Sequence, residues 1–178
     1  MASDDFVVTP WNVEGDIDYD KLIKRFGTQK ITPELLAKIE KFTNESHFML
    51  RRGIFFSHRD LNRLLDDYEK GKKFFLYTGR GPSGHTHIGH LVPWVFAKWL
   101  QDKFGAKMYF QLTDDEKFWS KKDMTLEKTS NFALENALDF IALGFKPENT
   151  KIIINTKNIK TLYPIAAEFA KRINFSNT

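Results

Sequence analysis

The sequence predicts an α/β fold with a doubly wound parallel sheet, preceded by a mainly helical N-terminal extension. Three short apolar runs, at residues 74–77, 108–112 and 151–155, have the length and composition of strands. Helical patterns separate these runs, and strands joined through helices pair in parallel by right-handed crossovers. We therefore expect two regions, an extension over residues 1–70 and an α/β region over residues 71–178.

Within the extension, the sequence predicts a short strand at residues 6–8 and a helix at residues 18–26. Thr32 and Pro33 form an N-cap and first-turn proline pair. The apolar residues that follow recur at helical spacing and are Leu35, Leu36, Ile39 and Phe42. A helix over about residues 33–43 follows.

A further helix is predicted at about residues 58–70, because Ser57 and Asp60 have the spacing of a capping box. Its apolar stripe consists of Leu61, Leu64, Leu65 and Tyr68. The extension is therefore expected to end in a helix just before the first strand of the sheet.

The α/β region begins with the apolar run 74–77, which predicts a buried strand that enters a glycine turn at residues 78–81. The next helix ends before Gly105, and its predicted apolar stripe is Val92, Val95, Phe96, Trp99 and Leu100. After the second strand, a helix over residues 126–143 is expected to end at Gly144. A last helix over residues 162–173 would present Leu162, Ile165, Phe169 and Ile173 on one face.

Composition narrows the class of protein further. The 178-residue chain has a formal net charge of +4 and no cysteine, which excludes disulfides and thiolate metal sites. No apolar run reaches the length of a membrane span, and the N-terminus lacks an apolar signal core. We therefore expect a soluble cytoplasmic protein without a membrane partner. The excess of basic over acidic residues is compatible with a polyanionic partner but does not identify one.

The informative segment is the glycine-rich stretch from Tyr77 to His90. Ligands of open α/β sheets bind beyond the carboxyl ends of the strands, and a helix N-terminus favours phosphate. His87 and His90 are three residues apart and share one helix face, where imidazole N–H groups can meet a phosphate. Glycine-rich loops are more often ordinary turns than phosphate-binding loops. Two histidines three residues apart are only a weak indication of a zinc site. We expect no metal bound by the protein.

The letters His-Ile-Gly-His at residues 87–90, after a glycine-rich strand exit, are the HIGH signature of class I aminoacyl-tRNA synthetases. The stretches at residues 77–83 and 111–117 resemble the tryptophanyl enzymes, and the stretch at residues 50–60 is similar to archaeal and eukaryotic members. The resemblance runs through nearly the whole chain and implies a Rossmann-like nucleotide-binding fold.

The resemblance implies activation of L-tryptophan by ATP, with Mg²⁺, to tryptophanyl-adenylate, and then transfer to tRNA(Trp) in a homodimeric parent enzyme. It assigns Tyr77, Gln111 and Glu116 to the amino acid, and assigns catalytic roles to Arg80, Lys117, His87 and His90. The implied nucleotide-binding residues are Gly79, Gly81, Pro82, Ser83, His87, Gly89 and His90.

The family also has a lysine-bearing KMSKS loop and a helical anticodon-binding domain, and the sequence contains neither. The resemblance therefore implies the first half of the catalytic domain, ending within the connective insertion that begins near residue 113. A second reading is a non-catalytic, synthetase-like binding fragment. A third reading is a small adenylyltransferase, against which the segment from Gln111 to Lys117 and the long N-terminal extension argue. A tyrosyl relative is a further alternative.

Overall fold

The computed structural model describes residues 6–8, 13–15 and 18–173, and the chain divides into two compact units, Met1–Lys72 and Lys73–Thr178. The first unit contains β1 (Phe6–Val8), β2 (Val13–Gly15), α1 (Tyr19–Phe26), β3 (Gln29–Lys30), α2 (Pro33–Thr43), α3 (Phe48–Arg51), β4 (Ser57–His58) and α4 (Leu61–Glu69). Strands β1 and β2 pair antiparallel, as do β3 and β4. The short first strand and the helices expected at residues 18–26 and 33–43 are confirmed.

The first two helices begin at side-chain caps, and the cap at Thr32 is the one that the sequence predicts. The Asp18 carboxylate accepts hydrogen bonds from the N–H groups of Asp20 and Lys21, both at 3.0 Å, ahead of α1. The Thr32 hydroxyl accepts from the N–H of Leu35 at 3.3 Å, with proline in the first turn of α2. Local side-chain chemistry therefore determines where both helices start.

The start predicted for α4 is wrong. Ser57 pairs with Lys30 in the β3–β4 ladder, and Asp60 has a left-handed backbone with φ of 59° and makes no capping bond. The N–H of Leu61 donates instead to Nδ1 of His58, at 3.2 Å. The strand pairing draws Ser57 away from the helix, and a histidine takes over the acceptor role.

The second unit is an α/β layer. It contains β5 (Phe75–Arg80), α5 (Ile88–Phe104), β6 (Lys107–Leu112), α6 (Asp114–Ser120), α7 (Leu126–Ala142), a 3-10 turn (Pro147–Asn149), β7 (Thr150–Ile154) and α8 (Ile159–Ala170). The strands form one sheet in the order β5-β6-β7, and both pairs are parallel. The predicted α/β class with a parallel sheet is confirmed.

One face of this sheet, which we call the covered face, carries the core of the unit. Its strand residues are Leu76, Met108, Phe110, Leu112, Ile152 and Ile154. They pack with the aromatic side chains of α5 and α7, and Trp94, Phe110 and Phe140 are at most 1% exposed. The rings of Phe110 and Phe140 stack with centroids 3.8 Å apart, while Trp94 meets Phe110 edge-on at 5.1 Å.

The other face, which we call the open face, carries the alternate residues of the same strands: Phe75, Tyr77, Gly79, Tyr109, Gln111 and Ile153. Phe75 and Tyr77 are 64% and 63% exposed. Because side chains alternate along a strand, adjacent residues of β5 are placed in two different environments.

Two details of the second unit correct the sequence expectations. Strand β5 continues through Gly79 to Arg80 instead of ending in a turn at residues 78–81, and its residues are alternately exposed and half-buried. A Cβ on Gly79 would lie 2.3 Å from the carbonyl oxygen of Gln111 on β6. Gly79 is therefore a strand residue whose missing side chain permits close strand approach.

Helix α5 ends at Gly105 as predicted, with φ of 60°, and the residues of its predicted apolar stripe are half-buried. Its buried residues are Trp94, Ala97 and Gln101, whereas the predicted stripe is less completely buried. Apolar residues occur on all sides of this helix, so their spacing in the sequence does not show which face packs against the sheet.

Helix α7 occupies Leu126–Ala142, just before Gly144, as predicted, whereas α8 occupies Ile159–Ala170 and begins and ends three residues before the predicted range of 162–173. Helix α8 has no buried residue, and the side chains of Ile165, Phe169 and Ile173 on its predicted apolar face are more than half exposed. Within the described ranges, no helix has the length and apolarity required to cross a membrane.

Candidate functional site

The loop between β5 and α5 is shaped by Arg80, the last residue of β5. Its guanidinium donates to the Thr86 hydroxyl at 2.8 Å and to the carbonyl oxygens of Gly84 and His85 at 3.0 and 2.7 Å. Burial lowers the pKa of Arg80, and the negative charge of Asp139 opposes that effect. A planar group with several donors thus fixes three successive loop residues.

Helix α7 holds the same loop from the other side. The fully buried Asn136 donates from Nδ2 to the carbonyl oxygen of Gly84 at 3.2 Å. His85 lies 3.0 Å from the carboxylate of Glu135 and meets the Phe132 ring edge-on at 5.4 Å. The loop is therefore attached both to its own strand and to α7, which preorganises its backbone.

His87 and His90 lie at the start of α5, as predicted, with ring centroids 3.8 Å apart. The backbone N–H of His87 donates to Nδ1 of His90 at 3.2 Å, so a neutral His90 ring carries its proton on Nε2. Burial, and then the positive charge of Arg80, lower the pKa of His90. The neutral ring presents an N–H donor away from its own helix.

The remaining loop residues occupy distinct positions. Pro82 is buried, and Ser83 is half-buried. A Cβ on Gly81 would lie 2.0 Å from Cε of Lys117, so the lysine side chain of α6 lies against this glycine. A Cβ on Gly89 would lie 3.1 Å from the His87 ring. The loop, the histidine pair and α6 therefore lie close together at the carboxyl ends of β5 and β6.

On the open face, a chain of hydrogen bonds joins all three strands, and we call it the relay. The Tyr77 hydroxyl donates to Oε1 of Gln111, and Nε2 of Gln111 donates to Oδ1 of Asn155 at 2.7 Å. Nδ2 of Asn155 donates to Oδ1 of Asp115 at 2.8 Å. The structure thus brings Tyr77 and Gln111 together and adds two polar residues to them.

Glu116 and Lys117 follow in the first turns of α6. Burial alone would raise the pKa of Glu116, but hydrogen bonding and charge from Lys117, whose Nζ lies 3.0 Å from Oε1, make the net shift a lowering. The Thr113 hydroxyl donates to Oε2 at 3.3 Å. Glu116 is thus held as a carboxylate at an exposed position suited to a cationic group.

Sequence reasoning did not identify Asn155 or Asn136 as site residues. It left Asp114 and Asp115 as residues that are structural or that support the site without touching the ligand. The fully buried Asp114 carboxylate accepts from both the N–H and the hydroxyl of Thr156, at 3.1 and 2.5 Å. The available signal was topological, because residues just beyond neighbouring parallel strands meet at one edge of the sheet. Among the residues the structure describes, no group of three or more histidine or acidic side chains is arranged to hold a metal ion.

In chemical terms, the second unit combines a loop with exposed backbone, a neutral imidazole donor, an exposed carboxylate and a polar relay at one sheet edge. Such an arrangement suits a ligand with both an anionic and an apolar, hydrogen-bonding part.

A family model described as tRNA synthetases class I (W and Y) matches residues 69–173. The tryptophan–tRNA ligases of Saccharolobus solfataricus and Sulfurisphaera tokodaii are 54% and 57% identical to the chain over 173 residues. The alignments cover 97% of this chain and 46% and 45% of those proteins, so the chain spans about half the length of the curated relatives it matches.

Solved structures are similar as well. The crystal structure of Plasmodium falciparum tryptophanyl-tRNA synthetase superposes with a TM-score of 0.84 at 45% identity, covering 90% of this chain and 45% of that one. The tryptophan-bound structure of the Encephalitozoon cuniculi enzyme gives 0.81 at 41% identity, covering 89% and 47%. The likeness includes the parallel sheet, which is Rossmann-like. With a family model that matches more than half of its length, the chain belongs to the class I tRNA synthetases of the tryptophanyl and tyrosyl (W and Y) family.

Proposed function

We propose that the chain provides the tryptophan- and ATP-binding part of a tryptophan–tRNA ligase, which activates L-tryptophan to tryptophanyl-adenylate and transfers it to tRNA(Trp). The observation that carries this proposal is that the second unit places the histidine pair at the start of α5, directly after β5 and its loop, and joins Tyr77 of β5 to Gln111 of β6 by a hydrogen bond. The names and structures of the relatives supply the substrate class.

The nucleotide is assigned to the loop and the start of α5. The exposed helix N-terminus favours phosphate, and the N–H at Nε2 of His90 supplies a donor without a positive charge on the ring. Gly81, Pro82, Ser83 and Gly89 form the adjoining backbone, and the bonds from Arg80 hold it in place. Mg²⁺ would accompany the ATP phosphates. Gly79 contributes by permitting close strand approach.

The amino acid is assigned to the open face. Tyr77 and Gln111 are suited to the indole N–H, because a site built to hydrogen-bond one group rejects side chains that lack it. The lowered pKa of Glu116 keeps a carboxylate available for the substrate ammonium. Lys117 lies between this carboxylate and Gly81, so it connects the amino-acid and nucleotide regions.

The reaction follows from this arrangement. A carboxylate oxygen of tryptophan attacks the α-phosphorus of ATP, a new O–P bond forms, and the bond to the β-phosphate breaks to release pyrophosphate. A ribose hydroxyl of tRNA then attacks the activated carbonyl carbon and AMP leaves. The chain forms no covalent intermediate, so the residues act by positioning the reactants and by stabilising charge in the transition state.

The test is tryptophan-dependent ATP–pyrophosphate exchange by the purified chain, with a His87→Ala, His90→Ala double variant as the control. Circular dichroism establishes that both proteins are folded. Exchange that disappears in the double variant is the expected result for an activating enzyme. Binding of tryptophan or ATP without exchange would instead assign the chain the role of a synthetase-like binding fragment. A folded chain that binds neither would contradict the proposal.

The proposed partners are tRNA(Trp), L-tryptophan and ATP, the proposed assembly of the parent enzyme is a homodimer, and the proposed location is the cytoplasm. The basic balance of the chain, with a net charge of +4, is compatible with the polyanionic tRNA.

A further inference from the structure

We infer that Asn155 and Asp115 are positioning residues that give the relay a single direction, so that Tyr77 presents a hydrogen-bond acceptor, and not a donor, to the ring of the bound amino acid. This inference rests on the proposed function, because it concerns how the same site selects its substrate. The sequence left Asp115 as a structural residue or one that supports the site without touching the ligand, and it did not identify Asn155.

The direction of the relay is set at its Asp115 end. A carboxylate can only accept hydrogen bonds, and Oδ1 of Asp115 accepts from the backbone N–H of Glu116 at 2.9 Å as well as from Asn155. Asn155 must therefore turn its NH₂ group towards Asp115 and its carbonyl oxygen towards Gln111. The backbone bond to Glu116 anchors the terminal oxygen.

Each further step follows from the one before. Because Asn155 offers an oxygen, Gln111 must turn its own NH₂ group towards it, at 2.7 Å, and its oxygen towards Tyr77. Tyr77 then donates its single hydroxyl proton to that oxygen. The lone pairs of the Tyr77 hydroxyl remain and can accept a hydrogen bond from a ligand.

The position of Asn155 in this relay is fixed by backbone hydrogen bonds. The N–H of Asn155 donates to the carbonyl oxygen of Leu112 at 3.1 Å, which extends the β6–β7 ladder by one residue. Thr156, the next residue, is tied to the buried carboxylate of Asp114 through both its N–H and its hydroxyl. Asp114 and Asp115 thus have separate tasks, since the first fixes the strand exit and the second orients the amides.

The consequence is a preference for a ring that carries an N–H donor. Without Asn155, the Gln111 amide is free to turn over and offer its NH₂ group to Tyr77. The hydroxyl would then accept from Gln111, and its own proton would be free to face the ligand, which disfavours an indole N–H at that position and favours a ring without a donor. The relay therefore distinguishes ligands by hydrogen-bond direction and not by shape.

The test measures dissociation constants by isothermal titration calorimetry for L-tryptophan and for L-3-benzothienylalanine, in which sulfur replaces the ring N–H. The unaltered 178-residue chain is expected to prefer tryptophan by about 10-fold or more, the effect of one unpaired buried group. In Asn155→Leu and Asp115→Leu, this preference is expected to fall by roughly 10-fold.

Asp115→Asn is the matched conservative variant. Its amide oxygen can still accept from Glu116 and Asn155, so we expect this variant to keep the preference for tryptophan. Asp115→Leu is expected to lose it. A simple loss of rigidity, or loss of the negative charge at residue 115, does not produce this pattern. General loosening weakens both ligands alike and leaves the ratio unchanged, while a charge effect acts equally in Asn and Leu variants.

The outcomes separate this inference from the function on which it rests. If the unaltered chain does not bind tryptophan, the proposed function is wrong and the inference is lost with it. If the unaltered chain prefers tryptophan and the Asn155→Leu and Asp115→Leu proteins keep the same ratio, the site is correct and the relay does not set its selectivity. A preference lost equally in Asp115→Asn and Asp115→Leu would also overturn the inference.

Discussion

The covered and open faces belong to the same three strands, yet they are built from different kinds of interaction. On the covered face, Phe110 lies between Trp94 and Phe140, and all three rings are essentially inaccessible to solvent. On the open face, Tyr77 is largely exposed and Gln111 is a member of a polar relay. The comparison shows that alternate residues of a single strand lie in an apolar core and in a polar network, so substitutions on the two faces should have separable effects.

The largest expected effect comes from the covered face. Phe110→Ala removes a fully buried ring and its stacking on Phe140, which should lower the free energy of unfolding by about 3–5 kcal/mol. The matched control is Phe75→Ala on the open face, where the ring is 64% exposed and the expected loss is below about 1 kcal/mol. Urea denaturation measures both, and equal losses would contradict the division between the faces.

A second prediction concerns the polar group buried beside the covered face. Gln101 donates to the Thr150 hydroxyl at 3.0 Å and accepts from the N–H of Lys146 at 2.9 Å. Gln101 also donates to the carbonyl oxygen of Asn149 at 3.4 Å, so Gln101→Leu removes the partner of three groups and should lower the free energy of unfolding by about 2–3 kcal/mol. Thr150→Val removes only one partner, so its expected cost is about 1 kcal/mol. Denaturation curves in which the two variants are equal would contradict this account.

A third prediction uses two glycines. Gly79→Ala places a Cβ 2.3 Å from the Gln111 carbonyl oxygen, so the strands must separate, at a cost of about 1–2 kcal/mol. Gly84→Ala places a Cβ in open space and serves as the control. Chemical denaturation measures stability, and tryptophan titration of the Gly79 variant should show weakened binding because Gln111 moves. A tolerated Gly79→Ala would mean that the strand spacing adjusts without cost.

The smallest expected effect is a pH dependence. The pKa of His90 lies below its ordinary value of 6.5, mainly because of burial, so the unfolded chain binds more protons than the folded chain just below that pH. The free energy of unfolding should therefore fall as the pH decreases through this region. His47 and His58, whose pKa values burial also lowers, contribute in the same direction.

His90→Gln should reduce this loss of stability without abolishing it, because His47 and His58 remain. Denaturation at about pH 5.5 and pH 7.5 measures the difference. An unchanged dependence in the variant would mean that His90 does not favour the neutral form in the folded protein.

The sequence predicts much of the fold because the relevant signals are local. Thr32 and Pro33 place the start of α2, and Gly105 places the end of α5. The predictions fail where tertiary contacts decide the outcome. Ser57 is taken into a strand pair, and the buried side of α5 depends on which face meets the sheet.

The candidate site shows the same limit. The histidine pair and the loop form one continuous segment, so a motif is enough to find them. Asn155 is found only through the structure, because its role depends on the β6–β7 register, which brings it beside Gln111. An isolated asparagine at a strand exit is an ordinary turn residue in any sequence.

The separation of the relay residues along the chain has a consequence for how the protein folds. Tyr77 and Gln111 are 34 residues apart, and Gln111 and Asn155 are 44 apart, so each bond closes a long loop around a crossover helix. Closing such loops costs chain entropy before the contacts form, which slows parallel pairing relative to helix formation. The relay therefore requires both crossovers, and a nascent or partly folded chain that already contains its helices would still lack the relay.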